Sequence, residues 1–152
     1  MSSEDRVAIP PILMVTVEDS MDIMITRDTA RRAASLLGFA PAFRAQLAGA
    51  AGELADLVLK TGRPHDIHFS GVRNGGRIGV EICCAAPWLQ DVARSNVIVA
   101  LRAKVGDLVD DIDLTHDSPP EIRLAMWLSP TRKVQFPDQP DQPDEDDTAA
   151  DS

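Results

Sequence analysis

The acidic residues near the end of one predicted helix are the side chains whose types and spacing come closest to an enzymatic site. Glu53 and Asp56 lie in the segment Glu53-Leu54-Ala55-Asp56-Leu57. A glutamate followed by an asparagine four residues later would place a general base and a magnesium ligand on one helix face. Position 57 is leucine, which has no oxygen to bind a hard cation. The segment therefore keeps only half of such a site.

The other groups that could bind a metal or act as nucleophiles have spacings that favour structural roles. His65 and His68 are three residues apart on a predicted strand, so they face opposite sides of the sheet, and His116 is distant. Cys83 and Cys84 are adjacent, which argues against a mutual disulfide and for two small buried residues. An acidic cluster lacks the glycine spacing of a calcium loop, and no metal site is expected. The cluster comprises Asp107, Asp110, Asp111 and Asp113.

Composition and charge describe one globular domain followed by an acidic segment. The 152 residues are 44% hydrophobic and 4% aromatic, with a net charge of −9. Seven of the 24 acidic residues follow Pro137, and the charges of the remaining 17 are nearly balanced by 15 basic residues. This near-neutral body excludes broad binding to nucleic acid or to anionic membranes. No signal-peptide pattern or membrane-length apolar run is present, so we expect a cytoplasmic protein.

Hydrophobic periodicity predicts an α+β fold, a two-layer α/β sandwich with the order β-α-α-β-β-α-β-β. The sheet is expected to be mixed or antiparallel, with the helices on one face. An edge strand is predicted from Ile12 because two prolines precede it. Asn74-Gly75-Gly76 predicts a tight hairpin between the second and third strands.

Three helices are predicted between these strands. The first ends at Gly38, the second begins at Pro41, and Asp91 caps the third. Gly49 and Gly52, inside the second helix, each cost about 1 kcal/mol relative to alanine. They predict close packing against a neighbouring element rather than contact with a ligand.

These patterns divide the chain into three parts. Residues 1–11 are expected to be a disordered N-terminus, and residues 12–130 to be the sandwich domain. Residues 131–152 are rich in proline and aspartate and are expected to be a disordered tail. That tail is either a solvated segment or an electrostatic shield that tunes partner binding.

Several segments in the first half of the chain resemble a known family. Arg27 with Ala30-Arg31, and then Leu36-Leu37-Gly38-Phe39, resemble the first helix of the anti-sigma-factor kinases of the serine/threonine switch type. Glu53-Leu54-Ala55 resembles their ATP-binding helix. These kinases belong to the GHKL (histidine kinase/HSP90-like) ATPase superfamily, whose Bergerat-like sandwich binds ATP between sheet and helices. The similarity spans approximately residues 12–128.

The resemblance implies a nucleotide site whose parts are incomplete. Glu53 matches the glutamate that activates a water or a substrate hydroxyl, whereas Leu57 replaces the magnesium-binding asparagine. Asp56 is rotated by about 100° around the helix and points elsewhere. Ala86 and Trp88 stand in the loop where the family has an adenine-reading aspartate and glycines.

The phosphate lid of the family is also missing from this sequence. The corresponding stretch, residues 93–97, contains no glycine, so its backbone amides cannot easily wrap phosphates. We therefore expect no cofactor. Trp88 either fills the former nucleotide cavity as part of the core or contacts a partner.

The resemblance and its losses together predict a non-catalytic regulatory protein that binds a STAS-type antagonist or a sigma factor. A homodimer is also plausible for this family. One alternative is a divergent but active kinase, with Mg-ATP bound, Glu53 as base and Asp56 in place of the asparagine. Another is a small-molecule site in the vacated pocket, which an apolar cleft beside Trp88 would favour. The expected partner surface is basic and suits an acidic partner. It comprises Arg27, Arg31, Arg32 and Arg44, with Trp88 nearby.

Overall fold

The computed structural model describes residues 6–135 as five strands and three α-helices, with one turn of 3₁₀ helix at Pro87–Leu89. The elements are β1 (Arg6–Val17), α1 (Met21–Leu36), α2 (Pro41–Lys60), β2 (His65–Asn74), β3 (Arg77–Ala85), α3 (Arg94–Val105), β4 (Asp111–Leu114) and β5 (Glu121–Trp127). This order confirms the predicted one.

The strands form one sheet in the order β1-β2-β3-β5-β4, and every neighbouring pair is antiparallel. Because side chains alternate along a strand, Ile67 and Phe69 of β2 are buried, whereas His68 between them is exposed. The same alternation places Val80 and Ile82 of β3 in the main core. Helices cover one face of the sheet, which confirms the α+β two-layer sandwich.

Small residues in α2 bring this helix close to its neighbours. An added Cβ at Gly52 would lie 3.1 Å from Arg27 Nη1 of α1, and one at Gly49 would lie 3.4 Å from Leu108 Cδ1. These contacts agree with the close packing that the two glycines predicted. The buried residues of α2 are Leu47, Ala48, Ala50, Ala51, Gly52, Leu54, Ala55 and Val58.

Helix α1 ends as its sequence predicted, and an acidic residue stabilises its first turn. The Asp22 carboxylate accepts hydrogen bonds from the backbone amides of Glu18 and Asp19, at 2.8 and 3.1 Å, and these bonds lower the Asp22 pKa. At the other end, Gly38 has a φ of +94°. Glycine adopts this conformation without a Cβ penalty, so the chain turns back and Phe39 enters the core.

The first strand begins six residues earlier than the predicted start at Ile12. β1 pairs with β2 from Arg6 onward, and the register shifts between Ile9 and Ile12. Pro10 and Pro11, which have no N–H to donate, lie at this irregularity on an edge strand. The prediction of disorder is therefore wrong for residues 6–11, although the edge position is confirmed.

The body of the domain also extends further toward the C-terminus than predicted. The Ala40 amide donates to the Arg132 carbonyl at 2.7 Å, and the Val134 amide donates to the Gly38 carbonyl at 2.9 Å. Lys133 forms a β-bridge with Phe39. The predicted boundary at residue 131 is thus too early, and the rest of the predicted tail, 136–152, lies outside the described residues.

Gly79 in β3 provides a test of the packing on the face of the sheet that the helices do not cover. A Cβ at this position would meet the Met126 carbonyl oxygen and would lie 2.9 Å from Trp127 Cε3. Because backbone cannot move aside as a flexible side chain can, we expect Gly79→Ala to lower the free energy of unfolding by about 1–3 kcal/mol. Urea denaturation measures this change.

Gly76→Ala is the matched control, since an added Cβ there meets nothing within 4 Å. Its stability should stay within about 0.5 kcal/mol of the wild type, as for most surface substitutions. Equal stabilities for the two variants would contradict the contact between β3 and β5 described above.

Candidate functional site

A cleft of about 250 Å³ lies between α3 and the end of α2, among the residues expected around a nucleotide. Its walls are mainly apolar, and Asn96 and Lys104 are its polar members. The cleft is lined by Leu57, Trp88, Leu89, Val92, Asn96, Val97, Ala100, Leu101, Lys104 and Ile122. Such a lining offers no carboxylate to a metal ion or to an adenine amino group.

The two acids of the α2 segment do not converge on this cleft. Glu53 Oε1 is 4.0 Å from Lys104 Nζ, and the Glu53 side chain is 45% exposed. Asp56 forms a separate pair with Lys60 at 2.9 Å, one helical turn further along. Leu57 alone of this segment lines the cleft. The arrangement places methyl groups where a magnesium ligand would be needed.

The loop after β3 closes one side of the cleft. Ala86 is fully buried, and its amide donates to the Pro120 carbonyl at 2.8 Å. Trp88 is half-buried, packs against the main core and lines the cleft. Its ring lies 4.8 Å from the ring of His65, centroid to centroid. Contact between Trp88 and a partner stays a prediction.

The stretch that would form a phosphate lid is the first turn of α3. This helix begins at Arg94 rather than at the predicted cap, because Asp91 has a φ of +70° and Ala93 is the N-cap. Val97 faces the core, and Asn96 faces the cleft. The residues that the resemblance aligned with a glycine-rich loop are therefore mostly helical in this structure.

The four arginines of the expected partner surface have different environments. Arg27 lies along Gly52, and Arg44 Nε donates to the Phe39 carbonyl at 2.7 Å. Arg31 pairs with Asp28 at 2.9 Å on the exposed side of α1. Arg32 is also exposed on that helix. Arg27, Arg31 and Arg32 are exposed and Arg44 is half-buried, and binding of a partner by these residues stays a prediction.

The exposed face of α1 carries apolar side chains that the sequence analysis missed. Met21 is 76% exposed, Met24 69%, Leu36 63% and Ile25 50%. They lie outside the buried part of α1, which consists of Thr26, Ala30, Ala33 and Ala34. The sequence does contain this information, because α1 has apolar residues outside the helical face that is buried in the core. Exposed methionines are common at surfaces that bind other proteins.

Neither thiol is activated in this structure. Burial, with the nearby carboxylates of Glu81 and Glu121, holds the pKa of Cys83 far above its usual range. Burial raises the pKa of Cys84 to about 12, with smaller contributions from Asp66 and Glu121. Both groups are therefore thiols at neutral pH, and the chain offers no thiolate nucleophile within residues 6–135.

The acidic and histidine side chains do not gather around a metal. Asp110 binds Arg132, and Asp113 binds Arg94. His65 and His68 lie on opposite faces of β2, as predicted. Within residues 6–135, no group of three or more potential metal ligands occurs. Nor does any helix in that range have the length and apolarity needed to cross a membrane.

The fold defines the class of protein to which this chain is similar. The chain shares its α+β two-layer sandwich with a solved structure, as the sequence resemblance led us to expect. The chain is similar to the crystal structure of the RsbU and RsbW domains of Rv1364c from Mycobacterium tuberculosis. RsbW is a GHKL-type anti-sigma-factor serine kinase.

That similarity has a TM-score of 0.52 and a sequence identity of 17%, and it covers 83% of this chain. The chain spans 35% of the solved chain that it matches. At this identity the comparison shows the fold alone. No family model and no curated protein matches the sequence.

Proposed function

We propose that this protein is a non-catalytic regulator that binds a STAS-type antagonist through the exposed face of α1. The observation that carries the proposal is the combination of exposed Met21, Met24 and Ile25 with the exposed arginines Arg31 and Arg32 on that face. Apolar anchors beside arginines are typical of protein-binding hot spots.

The charge of this face suits an acidic partner. Arg31 is partly neutralised by Asp28, whereas Arg32 forms no ion pair within the described part of the chain. Complementary charge raises the association rate and excludes wrong partners, while the apolar side chains supply most of the affinity. The likeness to RsbW supports this class of partner at the level of the fold only.

The same reasoning makes nucleotide chemistry improbable. General-base catalysis requires a positioned substrate, and the cleft beside Glu53 presents Leu57 and Trp88 rather than magnesium ligands or phosphate-binding amides. We therefore propose that no Mg-ATP binds and that the protein acts by contact.

Binding to a purified STAS-domain protein tests the α1 surface. We expect the double variant Arg31→Glu/Arg32→Glu, and separately Met24→Asp, to weaken binding by about 10-fold or more, because each removes a contact of hot-spot size. Isothermal titration calorimetry with the full chain measures the Kd.

Arg63→Glu is the matched control, because Arg63 is also exposed but lies in the turn after α2. It should leave the Kd within about 2-fold of the wild type, the scale of a surface charge far from the contact. Wild-type affinity in the α1 variants would overturn the proposed surface. Binding to a sigma factor instead of the STAS domain would identify the other class of partner.

A nucleotide titration tests the proposed loss of ATP binding. Nucleotide at 100 times its Kd stabilises a protein by about 2.7 kcal/mol, which is a shift of several degrees in melting temperature for a domain of this size. We expect about 5 mM Mg-ATP to shift the melting temperature by less than about 1 °C. A saturable shift that disappears in Glu53→Ala would restore the kinase hypothesis.

The apolar cleft favours a second candidate function, the binding of a small molecule. Its volume of about 250 Å³ is near the lower end of ligand pockets and holds about eight non-hydrogen atoms, if each occupies roughly the volume of a water molecule. Among residues 6–135, the one ion pair of Lys104 is its 4.0 Å contact with Glu53, and this weak pairing favours an anionic group at the rim. An aromatic acid fits these properties.

Benzoate and benzamide form a matched pair of probes for this cleft. We expect millimolar benzoate to raise the melting temperature in a saturable way and to change tryptophan fluorescence through Trp88, with a weaker response to the uncharged benzamide. Ala100→Phe should abolish both responses, because residue 100 lines the cleft and the larger side chain fills it. No saturable response to either compound would remove this candidate.

A further inference from the structure

The face of the sheet that the helices leave uncovered carries a second, smaller cluster of buried residues. Val72, Ala125 and Trp127 form it, apart from the main core. Trp127 is 6% exposed, which is unusual for a large side chain on the outer face of a two-layer sandwich. Polar side chains around this ring must therefore shield it from water.

Hydrogen bonds and cations hold the Trp127 ring in place. The backbone amide of Trp127 donates to Asp110 Oδ2 and its indole Nε1 donates to Asp111 Oδ2, both at 2.7 Å. The guanidinium carbon of Arg77 lies 4.0 Å from the ring centroid, and that of Arg6 lies 5.6 Å away. Arg77 is thus fixed by a cation–π contact.

A polar pocket of about 400 Å³ opens beside this ring. The charged side chains that line it are four arginines and three aspartates. Each aspartate is already engaged: Asp110 by Arg132, Asp111 by the Trp127 indole, and Asp113 by Arg94. The carboxylates therefore have little attraction left for a further cation.

The arginines of the pocket are engaged less completely. Arg6 pairs with Glu81, and Arg123 pairs with Glu121 at 3.1 Å. Arg77 and Arg102 form no ion pair within 4.0 Å among residues 6–135. Two guanidinium groups of the pocket thus have no direct carboxylate partner, although the charge of Arg77 also acts on Asp110, and their free N–H groups favour an anion there.

Asn74 supplies an independent sign that this pocket receives a ligand. It lines the pocket and is 3% exposed, and its Oδ1 accepts no hydrogen bond from any described residue. A buried acceptor without a partner destabilises a fold. A ligand that brings an O–H or N–H group would satisfy it.

We propose that this pocket binds a compact oxyanion that carries a hydrogen-bond donor beside its charged group. Arg77 and Arg102 hold the oxyanion, and the donor reaches Asn74 Oδ1. Hydrogen phosphate and small 2-hydroxycarboxylates share this chemistry. No residue of α1 or of the apolar cleft lines this pocket, so the site does not depend on the function proposed above.

Titration of the full chain with three sodium salts at constant pH and ionic strength tests the proposal. We expect inorganic phosphate and glycolate to raise the melting temperature in a saturable way and to change the fluorescence of Trp127, against which Arg77 lies. Acetate has the carboxylate of glycolate without its hydroxyl, so it should bind at least about 10-fold more weakly, the loss expected for one unmade hydrogen bond to a buried acceptor. A response to phosphate but not to glycolate would identify a phosphate site, and the reverse result would identify a hydroxycarboxylate site.

Three variants separate a built site from a general salt effect. Arg77→Gln should abolish the response, and Arg73→Gln, on the neighbouring strand and outside the pocket, should keep it. Asn74→Leu removes the unpaired acceptor, so it should raise the melting temperature without ligand and make glycolate and acetate equivalent. The proposal is overturned by equal responses to all three salts, which would mean an adventitious ion only, or by a glycolate preference that survives in Asn74→Leu.

Discussion

The close approach of α2 to its neighbours is the constraint on which the rest of the structure depends. Alanine and glycine on its buried faces let α1 and the sheet contact a helix that has little side-chain volume of its own. The Arg27 side chain lies along Gly52, and Leu108 reaches Gly49 from the other side. With α2 fixed so closely, the rotation of its last turns is fixed as well. Leu57 then faces the cleft, and Glu53 is left at the rim.

That rotation places residue 57 in the wall of the cleft, so the side chain at this position largely decides the chemistry of the cleft. Carboxylate and amide oxygens bind magnesium, and a leucine at position 57 turns the same wall apolar. Trp88 adds a large aromatic surface, and the start of α3 is helical rather than a loop that could surround phosphates. These three features favour apolar contact in the cleft. The exposed methionines of α1 add apolar surface on the outside of the fold, as the proposed partner-binding face requires.

Much of the fold could be predicted because its signals are local. The hairpin at Gly75 and the stop at Gly38 depend on a positive φ that few residues adopt, and both were placed correctly. The start of β1 was missed because Pro10 and Pro11 normally end a strand, and only the register shift against β2 accommodates them. The candidate site was harder to predict. The positions of Glu53 and Leu57 follow from helical spacing, whereas the partners of Arg27 and Arg44 arise from tertiary packing, which no local pattern encodes.

One short segment joins the two faces of the molecule. Asp110, at the polar pocket, is held by Arg132. Burial acts to raise the Asp110 pKa, but the hydrogen bonds from Arg132 and from the Trp127 amide, together with the charges of Arg132 and Arg77, outweigh burial and keep this pKa below its usual range. The Arg132 carbonyl accepts a hydrogen bond from the amide of Ala40 at the start of α2. Two residues later, the Val134 amide donates to the carbonyl of Gly38 at the end of α1. Two sites that share one element become coupled whenever a ligand at either site moves that element, and the coupling free energy is then equal in both directions. Under the two proposals made above, the contact of Arg132 with Asp110 joins the oxyanion pocket to the turn between α1 and α2.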